Sequence, residues 1–318
     1  MGYYIDDVEY YLPKKIIDNN FLSTECGIDP SFLENKIGIQ TRHIADIKES
    51  TSDMAVKSAS KLLTRNSCDI DLLLLCTQNP DYKLPTTACV VHKKLKLSDK
   101  CIAFDINLGC SGFVYALPIA GNFIEMSTVK NALLIMVDQY SKYIDYKDKN
   151  IAALFGDASS SILLKKCNKG LGVIDFDLRT DGEGFRSLIM YNSGVVADED
   201  KGKYIHMEGR EIFKFTINRI PQAIFDVLDR NNLNKRDIKY FILHQANKYI
   251  LDEIKKKMDI EDQNFIIDMA GCGNTVSSTI PIAYKNLLNS GKVKSGDKII
   301  FCGFGVGLSW GTVLYKTI

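Results

Sequence analysis

The chain has 318 residues, enough for one large core or two packed lobes, and its 40 Lys and Arg nearly cancel its 39 Asp and Glu, so no global field draws it to nucleic acid or an anionic membrane. The nine cysteines are odd in number, scattered and never spaced as C-x-x-C, which argues against a disulfide framework or a zinc site and fits a reducing cytoplasm. No basic segment precedes an apolar core at the N-terminus, and no apolar run nears the roughly 20 residues of a membrane span, so a soluble cytoplasmic protein without a bound metal is expected.

In chain order, short apolar strands alternate with helical stretches, the pattern of the α/β class. Apolar residues at i, i+3 and i+4 predict a helix over 54–65, and 72–75 reads as a strand buried on both faces because it lacks polar alternation. The segment Ile106-Asn107-Leu108-Gly109-Cys110-Ser111-Gly112-Phe113 then sets one cysteine between glycines. The apolar run 113–120 predicts a buried helix with Cys110 at its first turn, where the positive end of the macrodipole would lower the thiol pKa and make a nucleophile. Strands are expected at 131–137 and 161–164, and the polar turn Asn168-Lys169-Gly170 divides the chain into halves 1–168 and 169–318. A helix over 213–231, a strand over Tyr240–Leu243, a helix over 280–289 and a strand over 298–302 complete the second half. The glycine-rich 304–311 follows that last strand, opens no helix and does not read as a phosphate loop.

The two halves echo each other. Asp69-Ile70-Asp71-Leu72-Leu73-Leu74-Leu75-Cys76 resembles Asp237-Ile238-Lys239-Tyr240-Phe241-Ile242-Leu243-His244, and the Cys110 segment resembles Ile266-Ile267-Asp268-Met269-Ala270-Gly271-Cys272-Gly273-Asn274. Two matches in the same order, each followed by a helix and a strand, point to duplication of a unit of roughly 150 residues.

His244 ends an apolar strand, where α/β proteins expose functional groups, and Asn274 sits in a glycine-bounded turn. Read singly, each candidate has an ordinary alternative: Cys110 as a small core residue, His244 as a structural imidazole, Asn274 as turn chemistry.

Together the segments resemble the β-ketoacyl-acyl-carrier-protein synthase III family of the thiolase superfamily. The resemblance runs from Gly38-Ile39-Gln40-Thr41-Arg42-His43 through the Cys110 segment and Phe155-Gly156-Asp157-Ala158 to His244-Gln245-Ala246-Asn247, Gly273-Asn274-Thr275 and Ser309-Trp310-Gly311. It implies a thiolase-like five-layered α-β-α-β-α fold built from two duplicated halves. It also implies that Cys110 accepts an acyl group from a thioester, and that His244 and Asn274 donate hydrogen bonds to the enolate formed when a malonyl thioester loses CO2. Backbone N–H groups of Cys110 and Val306 would hold the second oxyanion. The family has a third glycine where this chain has Val306, whose branched side chain takes volume near the acyl group.

Coenzyme A or a phosphopantetheine thioester is the substrate carrier that the resemblance implies, with no permanently bound cofactor. Its path would pass Phe32, Lys36, Lys149, Gly209, Ala246 and Asn247. Phe32 replaces a stacking tryptophan, and Lys36 and Lys149 replace arginines that grip phosphate in two places, so a weaker coenzyme A site is expected. Acyl carrier protein, which is acidic, would dock on Lys214, Lys255, Lys256 and Lys257, with Arg210 beside them, while Tyr249 stands where the family has a further arginine. A homodimer is implied, Leu84 closing the partner's acyl pocket. The alternatives are an acyltransferase that passes the acyl group to an amine or hydroxyl without decarboxylation, a thiol hydrolase, and a non-catalytic binding protein.

Overall fold

The computed structural model describes residues 2–126, 129–196, 198–199 and 201–318. Two five-stranded sheets carry the fold, and they share one topology. The first runs Gly2–Tyr11, Ala158–Cys167, Asn131–Asp138, Leu72–Cys76, Ile102–Ile106; the second runs Gly172–Thr180, Ser309–Lys316, Lys298–Gly305, Tyr240–Leu243, Phe265–Ile266. In each, the three strands at one end are parallel and the two at the other end are antiparallel. The first sheet's last strand in the chain ends at Cys167 and the second sheet opens at Gly172.

Both faces of each sheet are apolar, so each is covered twice, and five layers result. Leu73 and Leu75 face outward onto Met54, Ala59 and Leu62 of the helix Thr51–Arg65, while Leu72 and Leu74 face inward onto Phe113 and Leu117 of the helix Gly112–Glu125. Tyr240 and Ile242 meet the same middle layer with Ile280 of the helix Thr279–Asn289, and Phe241 and Leu243 pack outward on the helices Gly209–Arg230 and Lys248–Met258. The Thr51–Arg65 helix starts where Ser50 accepts from the Asp53 N–H and Asp53 returns a bond to the Ser50 N–H, a capping box that satisfies two unpaired donors.

Two strands run longer than their apolar runs. The strand read at 161–164 spans Ala158–Cys167, because buried Ser159 and Ser161 find Ser58 Oγ at 2.8 and 2.7 Å and Ser160 finds Ser278 at 3.1 Å. The strand read at 298–302 continues to Gly305 and turns directly into Ser309–Lys316, so the glycine-rich stretch is a hairpin. This hairpin carries backbone from the second half onto the Cys110 loop of the first.

Candidate active site

Cys110 lies two residues ahead of the helix Gly112–Glu125, and the hairpin of the other half presses on it. A Cβ at Gly305 would stand 2.8 Å from Cys110 Cβ and 3.1 Å from its Sγ, and one at Gly303 would stand 2.9 Å from the Cys110 carbonyl oxygen. Only glycine allows this approach. Ser111 donates to Ser309 Oγ at 2.6 Å, and Ser309 in turn donates to the Val306 carbonyl at 2.7 Å, tying the Cys110 loop to the hairpin. The Cys110 N–H faces its own thiol, and among the described residues the Val306 N–H has no hydrogen-bond acceptor.

The thiol pKa departs from the sequence expectation. Burial pushes it well above the ordinary cysteine value and the Asp138 carboxyl adds to the shift, so the resting group is a neutral thiol. The macrodipole loses because Cys110 precedes the helical turns, is 4% exposed and has no cation paired with it. Asp138 is a participant that sequence reading missed. It closes an apolar strand, accepts from Gln78 N–H at 2.8 Å and from Ser277 Oγ at 2.9 Å, and its own pKa is pushed up to about 7 by burial.

His244 follows the strand Tyr240–Leu243 and donates its backbone N–H to Cys302 at 2.8 Å. Its ring stands edge-on to Phe304 at 5.5 Å, and burial lowers its pKa to about 3, leaving it neutral at pH 7. Nδ1 is 2.8 Å from Thr279 Oγ1, which also reaches the Val276 carbonyl at 3.0 Å. Turning this hydroxyl toward the carbonyl leaves the proton on Nδ1; turning it toward the ring leaves the proton on the inward Nε2.

Asn274 is fixed from both halves. Its N–H donates to Leu154 O and its carbonyl accepts from Gly156 N–H, both at 3.0 Å, while Oδ1 accepts from Val276 N–H at 3.0 Å. Nδ2 faces the site, donating to the Ala246 carbonyl at 3.4 Å and lying 3.5 Å from His244 Nε2. Arg42, 1% exposed, holds the neighbouring segment by donating to Ala153 O from Nε at 3.0 Å and from a terminal nitrogen at 2.6 Å. The Gly38–His43 and Phe155–Ala158 motifs thus serve the placement of Asn274.

Cys110, His244 and Asn274 line one cavity of about 90 Å³ with Gly209, Ala246 and Asn247. Met207, Gly209 and Asn247 also line an outer cavity of about 370 Å³ walled by Phe32 and Arg210, so the two cavities adjoin.

Models of the 3-oxoacyl-[acyl-carrier-protein (ACP)] synthase III family match residues 104–182, and those of its C-terminal part match residues 228–317. A β-ketoacyl-[acyl-carrier-protein] synthase III of Clostridium perfringens is 36% identical over 314 residues, covering 96% of both chains. The chain belongs to the synthase III family. A crystal structure of 3-oxoacyl-(acyl-carrier-protein) synthase III superposes with a TM-score of 0.95 at 33% identity, covering 99% of this chain and 100% of that one. FabH from Pseudomonas aeruginosa PAO1 gives 0.92 at 29%, covering 100% and 98%. The chain is a condensing acyltransferase of the synthase III type, with the thiolase-like fold that its motifs imply.

The remaining residues singled out by likeness to the synthase III family fall unevenly around this site. Phe32 reaches the outer cavity, but Lys36 and Lys149 do not line it: Lys36 sits 4.0 Å over the Tyr249 ring and Lys149 donates to Gly27 O at 2.7 Å. Tyr249 stacks on Phe213 at 5.4 Å, an aromatic pair that sequence reading passed over. The basic patch is partly neutralised. Lys214 pairs with Glu211 at 2.7 Å, Lys255 pairs with Asp262 at 2.7 Å, and Lys257 donates to Ile217 O at 2.8 Å. Among the described residues, Arg210 and Lys256 are exposed and have no ion-pair partner. Leu84 is 87% exposed and lines neither of these cavities. No helix of the described residues is long and apolar enough to cross a membrane, and no cluster of side chains there could hold a metal ion.

Proposed function

We propose that Cys110, His244 and Asn274 carry a decarboxylative Claisen condensation between an acyl primer and a malonyl thioester on acyl carrier protein, in fatty acid or specialised acyl-chain synthesis in the cytoplasm. The observation that carries this reading is the shared cavity: a thiol, a neutral imidazole and an amide N–H line one space. Cys110 attacks the primer thioester as its proton passes through His244 Nε2 to the departing thiolate, so the exchange is proton-neutral and leaves an acyl-enzyme of similar energy. The malonyl carboxylate then leaves as CO2, and its electron pair becomes an enolate whose oxygen accepts from His244 Nε2–H and Asn274 Nδ2–H. The enolate carbon bonds to the acyl carbon, the bond from that carbon to Cys110 Sγ breaks, and the released thiolate takes a proton from solvent. During attack, the acyl oxygen accepts from the N–H groups of Cys110 and Val306.

Arg210, which lines the outer cavity, and exposed Lys256 would attract an acidic carrier protein delivering its pantetheine arm, and coenzyme A thioesters share that arm. The halves 1–168 and 169–318 serve as diverged copies, one supplying the nucleophile and the other the oxyanion donors. A homodimer is part of this reading: Ile102–Ile106 is an unpaired edge strand, Ile102 and Leu84 are exposed, and a second copy would cover them. Incubation with acyl thioesters followed by intact-mass measurement tests the reading; it predicts an adduct on the wild type that is lost in Cys110→Ala, and an equal adduct on both would refute it.

A further inference from the structure

A second cavity, of about 310 Å³, adjoins the Cys110 cavity, and its lining mixes apolar and polar side chains. The two cavities share Leu188, and the hairpin lines both, with Gly305 on one and Val306 and Gly307 on the other. Phe185, Ile205 and Val306 supply apolar surface, and Gln78, Tyr140 and Asn107 supply polar groups.

Gln78 and Tyr140 sit directly against the Cys110 loop. A Cβ at Gly109 would lie 2.5 Å from Gln78 Oε1 and 3.4 Å from the Tyr140 hydroxyl, and Gly109 precedes Cys110 by one Cα–Cα step of about 3.8 Å. Tyr140 donates to Gln78 Oε1, and its ring packs on Phe155 at 5.0 Å, so the amide is held with its Nε2 turned away from that bond. Among the described residues, neither Gln78 Nε2 nor the Asn107 side-chain amide has a hydrogen-bond partner. An alkyl group against them would cover donors and acceptors without replacing their bonds to water, and a site with such groups discriminates strongly against a ligand that lacks the matching atom.

We infer that the primer taken by this cavity is a short hydroxyacyl group, its carbon chain on Val306 and Phe185 and its hydroxyl bonded to Gln78 and Asn107. This rests on the acyl-enzyme reading above and names the substrate class for that site. The probes are pantetheine thioesters of 3-hydroxybutyrate and isovalerate, which differ only by a hydroxyl in place of a methyl, with acetyl-pantetheine to establish that Cys110 reacts. Intact-mass kinetics should show the hydroxyacyl adduct forming at least about tenfold faster than the isovaleryl adduct. Gln78→Leu and Asn107→Leu, tested separately, should each shrink that ratio toward one, chiefly by raising the isovaleryl rate. Asn107→Leu removes no hydrogen bond within the chain, so it reads selectivity even where Gln78→Leu disturbs the loop. Acetyl and isovaleryl adducts forming as fast as the hydroxyacyl one would overturn this inference and leave the acyl-enzyme intact. No adduct from any of the three would overturn both.

Discussion

Replacing Gly305 with alanine tests whether the second half's hairpin sets the position of the nucleophile. The new methyl would stand 2.8 Å from Cys110 Cβ and 3.1 Å from Sγ, inside the roughly 3.5–4.0 Å at which carbon atoms settle, so the Cys110 loop must retreat by about 1 Å. Overpacking of this kind costs about 1–3 kcal/mol, which at roughly 2–4 °C per kcal/mol lowers Tm by about 2–12 °C. A displacement of about 1 Å at the reacting atom costs on the order of 10²-fold in rate, so self-acylation should fall much further than the loss of folded protein explains. Gly182→Ala is the control, because nothing lies within 4 Å of a Cβ there. Calorimetry gives Tm and intact-mass kinetics at 25 °C gives the acylation rate. Wild-type acylation in a folded Gly305→Ala protein would refute the argument that this glycine is needed for close approach to the thiol.

Asn274→Ala should keep self-acylation within a few-fold and lose about 10²–10³-fold in CO2 release from malonyl-carrier protein, since only the second half-reaction uses its Nδ2; equal losses in both assays would reassign the residue. Thr279→Val removes the hydroxyl that lets His244 exchange tautomers, so condensation should slow by about tenfold or more while stability drops only by the loss of two buried hydrogen bonds, about 1 kcal/mol each. Thr279→Ser should restore the rate, and failure of that rescue would count against the tautomer argument. Because the folded thiol is held above its ordinary pKa, the thiolate fraction stays small through neutral pH and grows as pH rises. Iodoacetamide labelling of Cys110 should therefore climb by about tenfold per pH unit through pH 9 without a plateau, and a plateau near pH 7 would show that the thiol is activated at rest.

Legibility followed physical signal. The strand at 72–75 was plain because all four leucines are buried, and the duplicated strand order follows from an echo visible in 69–76 and 237–244. Cys110, His244 and Asn274 could be singled out because each sits in a short turn after an apolar strand, and they line one cavity. The thiol's pKa was misjudged because burial is a tertiary property, and a helix start two residues away cannot outweigh it. Ser159, Ser160 and Ser161 hid the ends of a central strand, since their partners at Ser58 and Ser278 are more than a hundred residues distant. Gln78, Asp138 and Thr279 went unread for the same reason: each acquires its meaning from a partner distant in the chain, Tyr140 for Gln78, Ser277 for Asp138 and His244 for Thr279. The lysine run at 255–257 looked like a basic patch until Asp262 and the Ile217 carbonyl were seen to engage two of its three cations.

The central claim is that acyl-Cys110 is consumed by a carbanion formed on loss of CO2. A single-turnover experiment tests it most directly: acyl-enzyme freed of excess thioester is mixed with carboxyl-labelled malonyl-carrier protein. The account predicts one equivalent of labelled CO2 and one of β-ketoacyl-carrier protein for each acyl group lost from Cys110. Discharge of the acyl group to an amine, a hydroxyl or water with no CO2 released would contradict it.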